Sequence, residues 1–540
     1  MAEFSRKALA VILIGFFAIT IIYAYASSIG PRDIAGFDWV NSTVGMDTPN
    51  VYVRGTNVTA LSLYPQQPAS YIIWRDGSTY YAKNGSTGAI DYNGVDAKTV
   101  INNVLSALTV GRTWKERVVL RGNFSISGTI YPRSYTVLDL TNARLIASTG
   151  ISRVIELAGV TRTQVEIVGG IINANENNQG VHIESANQVL VRGTTIYDAS
   201  DECFNIKSSN NVRISNCYAY STISLADVDG FKIEDSTECT LSNNIAKNMG
   251  YGETPSTANG IELQGSTLCS VGGNIVVNST SANINLEINS NDNVIDSNIV
   301  RYGKTTGILI AGSKRNTVSK NSVSDVTGQG INLYESSEAE SRNTVIGNIV
   351  NNTGSYGIWV FNSNYNIINE NQVSLTDAHA FLITDSDYNI ISENQVERQS
   401  NNDIYIFQTS SYNLVQGNII KILALSNTAQ NNKIYDNIIK TSVTPGTGSN
   451  QWRANTGYVT ENTGNATLAA ITSSIVVNHG CSYTPTLGDI QVTANRDLGN
   501  CTYFWYDTVT ATQFTIHVGA SGAAKNIDKA VYFPWSVDRH

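Results

Sequence analysis

The 540-residue sequence predicts an all-β fold: a solenoid of stacked coils, the parallel β-helix, entered through an N-terminal helix cap and followed by a small C-terminal β-sandwich. Three observations predict it. Segments recur about every 23 residues, each repeat carries short β-branched runs alternating in twos, and asparagine recurs at fixed repeat positions instead of scattering through turns. Asparagine supplies about 60 residues of the chain, far more than turns alone require.

Residues 1–26 precede the fold. Ala8 to Ala26 is an uncharged apolar run behind Arg6 and Lys7, close to the length that spans a bilayer, and Ala24-Tyr25-Ala26 offers a cleavage site. It reads as a signal peptide or a retained membrane anchor at 8–26, with everything after it outside the cell. Eight Asn-x-Ser/Thr sequons, among them Asn84, Asn123 and Asn351, agree with export. Residues 27–94 read as a β-rich segment with Asp-Gly and Asn-Gly turns. Asp96 is placed to cap a helix over AKTVINNVLSAL, whose Val100, Ile101, Val104, Leu105 and Leu108 share one face. This helix opens the solenoid domain, residues 95–444, and protects its first edge.

Repeats starting at Asn293, Asn316, Asn343, Asn366, Asn389 and Asn413 are 23, 27, 23, 23 and 24 residues apart. A leucine-rich repeat would need a regular leucine consensus, which is lacking. Stacking the coils in register predicts two asparagine columns. The first runs Asn211, Cys239, Cys269, Asn293, Asn316, Asn343, Asn366, Asn389, Asn413, Asn432. The second, five residues later, runs Asn216, Asn244, Asn274, Asn298, Asn321, Asn348, Asn371, Asn394, Asn418, Asn437. Coils about 4.8 Å apart let each side-chain amide bond its neighbour. Residues 445–457 (around TPGTGSNQ) read as a linker, and 458–540 as strands of the C-terminal sandwich.

Charge narrows the function. With 35 Lys+Arg against 44 Asp+Glu and only 15% charged residues, the chain has no basic stripe for a phosphate backbone, so no nucleic-acid partner is expected. Six cysteines do not make a disulfide scaffold. Cys239 with Cys269, and Cys481 with Cys501, are candidate disulfides; the alternative is small buried side chains.

The helix-capped entrance and coils of N-x-[IV]…G-[IF]-x-[IL] between about Tyr71 and Thr444 resemble the pectin-lyase-like right-handed parallel β-helix proteins. DECFNIKSSNNVRISNC, from Asp201 to Cys217, is similar to the DDCIAIK…NVxIxNC segment of polygalacturonase-type glycoside hydrolases. The resemblance implies a right-handed coil and action on galacturonan, with Asp201 and Glu202 in the acid-pair positions and Lys207 in that of the lysine. The chain departs from it elsewhere. Asn177-Asn178-Gln179 stands for Asn-Thr-Asp, Asp229-Gly230 for His-Gly, and Ile261-Glu262-Leu263 for Arg-Ile-Lys. VVNHGCSYTPTLGDIQVTANRDLGNCTYFW resembles sandwich modules that end tail-fibre and H-type-lectin-like proteins, which implies a binding tip or a homotrimer.

The residues themselves gather Glu202 and Asp229 on neighbouring coils, with Lys207, Lys232, Glu234 and Glu262 on outward positions nearby. Carboxylates about 5 Å apart would divide into acid and base as in a retaining glycosidase, or hold Ca²⁺; for β-elimination, Lys207 or Lys232 would be the base. The alternative is a solvated Lys/Glu ladder. Further on, Tyr334, Trp359, Phe361, Tyr405 and Phe407 could stack on sugar rings or lie under the C-terminal module or another subunit. The histidines show no zinc spacing, and no metal ligands are assigned. Two functions stay open: an enzyme on an acidic polysaccharide using Asp201, Glu202, Asp229 and Lys207 or Lys232, or a non-catalytic cell-surface adhesin that binds glycan. The missing family residues tip the balance slightly to the adhesin.

Overall fold

The computed structural model describes residues 50–53, 56–59, 69–177, 179–224, 228–250, 257–397, 401–520, 523–526 and 530–538. The apolar segment 8–26 lies outside these residues. No helix among the described residues is long and apolar enough to cross a membrane. The chain divides into two compact units, residues 1–70 with 83–91, and residues 71–82 with 92–540. In the first, Asn50–Val53 pairs antiparallel with Thr56–Thr59. The turn after Asn84 is closed by Asn84 Oδ1, which accepts from the Ser86 N–H at 2.9 Å.

The second unit is an all-β right-handed parallel β-helix with a helical N-terminal region and small C-terminal antiparallel sheets. Each coil contributes three short strands, every one paired in parallel with its counterpart on the next coil. Ile308–Ala311, Thr317–Ser319 and Ser322–Val326 pair in turn with Ile331–Glu340, Thr344–Ile346 and Ile349–Thr353. Period-2 alternation sends Ile310, Leu333, Val360, Ile383 and Ile406 inward to one continuous core. The glycine of the G-[IF] motif is needed for close approach: a Cβ on Gly357 would sit 2.4 Å from Val373 Cγ1 and 2.6 Å from the Ala380 carbonyl.

The cap is a helix, Ala97–Ala107, with Asp96 accepting from the Thr99 N–H and with Val100, Ile101, Val104 and Leu105 buried. The parallel sheet nevertheless starts before it, because Tyr71–Asp76 pairs with Glu116–Ile126. Residues 445–457, expected as a linker, instead form another coil: Gln451–Arg453 pairs with Lys433–Tyr435. The reason is that Asn450 and Asn455, also five apart, extend both columns, accepting from the N–H groups of Asn432 and Asn437 at 3.0 Å. Trp452, fully buried and edge-on to Tyr458 at 5.0 Å, closes this coil.

Both asparagine columns form, with one refinement. The main bond is from a backbone N–H to the side-chain oxygen on the next coil, as from Asn343 to Asn366 and from Asn348 to Asn371. Amide-to-amide bonds add to it in places, as from Asn371 to Asn394 at 3.0 Å. Two expected members drop out. Asn211 and Asn216 lie one residue ahead of the columns in left-handed backbone, at φ 51° and 52°, and the column positions fall on Val212 and Cys217. A serine column, three residues ahead of the first, was not foreseen: Ser209, Ser236 and Ser266 pass N–H to Oγ bonds of 3.0 and 3.1 Å from coil to coil. Tyr365, Tyr388 and Tyr412 stack outside it at 4.8 and 5.0 Å.

All six cysteines are free thiols. Cys239 and Cys269 neighbour each other in the first column, their thiols donating to the Thr237 and Thr267 carbonyls at 3.4 and 3.3 Å instead of forming a bridge. Cys481 and Cys501 direct their sulfurs to different carbonyls, those of His479 and Lys525. The C-terminal module, from Glu461, pairs Glu461–Leu468 and Ile490–Val492 with Val531–Asp538, and Ser474–Asn478 and Tyr503–Asp507 with Gln513–Ala520. Phe514 of one sheet meets Trp535 of the other at 5.7 Å.

Candidate functional site

Five consecutive coils carry the acids. Their strands Gln179–Glu184, Glu202–Lys207, Asp229–Glu234, Ile261–Gln264 and Ile284–Glu287 pair in one parallel register. Inward, Phe204 and Phe231 stack at 4.8 Å, and Ile206, Ile233, Leu263 and Leu286 are fully buried. This packing fixes the outward side chains in two rows. One row runs His182, Asn205, Lys232, Glu262, Asn285, and the other Glu184, Lys207, Glu234, Gln264, Glu287. Glu202 and Asp229 pair at the strand starts, beside Gln179.

Lys232 is the hub. Its Nζ lies 3.2 Å from Glu262 Oε2 and 3.8 Å from Glu202 Oε1. Those two oxygens are therefore no more than about 7 Å apart, with the Lys232 ammonium between them. Gln179 Nε2 donates to Glu202 Oε2 at 2.7 Å, and Arg153 Nε, donating to Gln179 Oε1 at 2.9 Å, fixes which way that amide points. Asp201 lies alongside, its carboxylate 3.5 Å from Gln179 Nε2.

The carboxyls have different protonation states, and each has a physical cause. Burial, reinforced by the Asp201 charge, pushes Glu202 up to about 7. Asp229 is raised well above the ordinary carboxylate range by burial and by Glu262 beside it. Burial alone would raise Glu262 too, but the Asp229 hydrogen bond and the Lys232 ammonium outweigh it and hold Glu262 below its usual value. Glu287 is raised by burial and by the Glu262 charge.

Three expectations change here. Glu202 and Asp229, expected to divide into acid and base, are shifted in the same direction, and the oppositely shifted pair is Glu202 with Glu262, two coils apart. Both lysines are shifted up, Lys207 by its 2.7 Å pair with Glu234 and Lys232, against the lowering effect of burial, by Glu262 and Asp229, which opposes the deprotonation an elimination base requires. Among the described residues no group of three His, Cys, Asp or Glu is arranged for a metal. Lys232 takes the space between the carboxylates where Ca²⁺ was considered.

The two rows continue along the same sheet and lose their charge. One carries Leu309, Asn332, Trp359, Leu382 and Tyr405, and the other Ala311, Tyr334, Phe361, Thr384 and Phe407. Tyr334 meets Phe361 at 5.6 Å, and Phe361 stacks on Trp359 at 5.2 Å. Tyr356 and His379, which the sequence reading did not include, bridge Trp359 to Tyr405. The five expected aromatics are thus one surface; the only signal for the missing pair was their place just ahead of the strand in successive repeats.

The family model described as right handed beta helix region matches residues 148–268 and 179–345. No curated protein matches the chain in sequence. A mutant tailspike protein of E. coli bacteriophage HK620 is similar at 12% identity and a TM-score of 0.56, over 83% of this chain and 90% of that one. Another mutant of that tailspike, in complex with a pentasaccharide, is similar at 12% identity and 0.50 over the same shares. The A-module of Azotobacter vinelandii mannuronan C-5 epimerase has 14% identity and a TM-score of 0.49, over 58% of this chain and 94% of that one. At such identities the shared property is architecture, and the matched model and the tailspike agree on it: the chain folds as a right-handed parallel β-helix.

Proposed function

We propose that the chain is an exported carbohydrate-processing β-helix protein that hydrolyses a glycosidic bond, with Glu202 as acid and Glu262 as base. One observation carries the reading. A single lysine bridges a carboxyl group whose pKa is raised to about 7 and a carboxylate held below its usual range, both buried at the foot of the outward rows. Glu202 gives its proton to the glycosidic oxygen as the C–O bond breaks. Glu262 takes a proton from the water that adds to the anomeric carbon. Asp229 and Lys232 keep Glu262 charged.

The tailspike crystallised with a pentasaccharide supports a glycan as the ligand class for this fold. The charge of the site favours an uncharged glycan over the acidic one expected from sequence. Lys207 and Lys232 are both committed to carboxylates, so a uronate would meet no free ammonium among these residues. The test is release of reducing ends from uncharged and uronate polysaccharides, with Glu202→Gln and Glu262→Gln alongside. Turnover that survives in both variants, or no turnover on any glycan that the protein binds, overturns the hydrolase; the latter result would return the protein to the adhesin reading.

A further inference from the structure

Glu202 stands in a row of four residues on consecutive coils, Arg153, Gln179, Glu202 and Asp229, paired in one register. The row runs from the surface inward. The Arg153 side chain keeps 30% of its area exposed, whereas Gln179 and Glu202 are buried. Between these three the hydrogen bonds have one direction: Arg153 Nε donates to Gln179 Oε1 at 2.9 Å, and Gln179 Nε2 donates to Glu202 Oε2 at 2.7 Å. Asp201 Oδ2 lies 3.5 Å from the same amide nitrogen.

The direction follows from the chemistry of the exposed end. A guanidinium has N–H donors and no acceptor, so the amide atom that faces it is the oxygen. Fixing Oε1 on Arg153 turns the Nε2 protons towards Glu202 and Asp201. Glu156 pairs with Arg153 Nη1 and holds the guanidinium in turn. If the amide turned over, Arg153 would meet an NH₂ donor and Glu202 a carbonyl, which accepts from a protonated carboxyl and repels an ionised one. The present orientation thus favours release of the Glu202 proton, against burial and the Asp201 charge, which favour keeping it. The other charged groups nearby do not compete for this contact. Lys232 approaches the other oxygen, Glu202 Oε1, and Asp229 accepts from the Asn259 N–H at 2.6 Å. His182 pairs with Glu184, Lys207 with Glu234, and Asp198 accepts from Thr222.

We propose that Arg153 and Gln179 are positioning residues of the acid, a one-way relay in which a guanidinium two coils away decides which side of an amide Glu202 meets and so how readily Glu202 gives up its proton. The consequence for turnover rests on the hydrolase reading above; the relay itself does not. Its signature is coupling. Arg153 acts on Glu202 through Gln179, so its effect disappears once the amide is gone, whereas a charge acting through space would be felt with or without it.

The experiment is a difference infrared titration of the carboxyl band in the intact chain, with the Glu202 contribution identified by its loss in Glu202→Gln. Gln179→Met, which keeps the volume and removes the donor, should move the Glu202 titration to higher pH by about one unit, a tenfold tighter hold on the proton. Arg153→Met should move it the same way. The double variant should titrate as Gln179→Met does. Thermal melts report whether each variant is folded, and Arg153→Met, at the exposed end of the row, tests the relay alone if Gln179→Met does not fold. A Glu202 titration that stays in place or moves to lower pH in either single variant, or shifts that add in the double, would overturn the relay. In turnover, the decline at high pH should follow the infrared shift while KM stays within a few-fold. A decline that stays in place while the band moves, or a parent protein without turnover on any glycan, would sink the hydrolase and leave the relay standing.

Discussion

The outward face of the solenoid has two halves built on one backbone plan. From Gln179 to Glu287 it is charged, internally paired and held by buried carboxyls; from Tyr334 to Phe407 it is aromatic and carries no charge on either row. The inward residues hardly differ, since Ile206, Ile233, Val360 and Ile383 are all fully buried aliphatics. The same core therefore supports two chemistries, and the fold leaves the outward rows free to specialise. The difference also reaches the spine. Beside the aromatic half the first asparagine column is unbroken, whereas beside the acids it is replaced by Val212, Cys239 and Cys269.

The comparison can be broken most sharply at the acids. Glu202→Gln or Glu262→Gln is expected to lower turnover by about 10²- to 10⁴-fold while leaving glycan affinity within a few-fold, read by steady-state kinetics and calorimetry. A pH profile sharpens it. Hydrolysis should decline above about pH 7, as Glu202 loses its proton, and Glu202→Gln should abolish that limb.

Stability carries the next effects. Asn371 accepts from the Asn348 N–H and donates to the Val345 carbonyl, so Asn371→Ala should cost about 1–3 kcal/mol in urea unfolding. Asn211→Ala, off the column, should cost less, about 0.5–1 kcal/mol, from its left-handed backbone alone. Titration of Glu202 also bears on stability. Its folded pKa lies above the unfolded value, so the native state binds more protons between roughly pH 4.5 and 7, and stability falls as pH rises through that window. The loss should be on the order of 3 kcal/mol and vanish in Glu202→Gln. The smallest change would erase the contrast in the spine: Cys269→Asn extends the column by one coil and should add about 0.5–1 kcal/mol.

The solenoid was legible because its determinants are periodic. A column of asparagines announces itself at every coil, and the five-residue spacing of Asn450 and Asn455 could have corrected the linker at 445–457 by the same rule. Asn211 and Asn216 misled because asparagine also favours the left-handed corner one residue earlier. The serine column was hidden by a residue that is common in loops.

The site was legible only as a neighbourhood. Register put Glu202, Asp229, Lys232 and Glu262 together, but their roles depend on where Lys232 reaches and on burial that repeats do not encode. Gln179, set aside as a departure from the family triplet, donates to Glu202. His379 and Tyr356 joined the aromatic surface through loop geometry that the strand pattern does not report.

The identical 23-residue steps from Asn343 to Asn366 and from Asn366 to Asn389 have an evolutionary consequence. Each such coil is bonded above and below through the same positions, so residues 366–388 could be lost or duplicated with every ladder re-forming across the new junction. The distance between the acids and the aromatic surface is thus a ruler graduated in whole coils, about 4.8 Å each. A lineage could change that distance by recombination alone, without altering one residue at the acids.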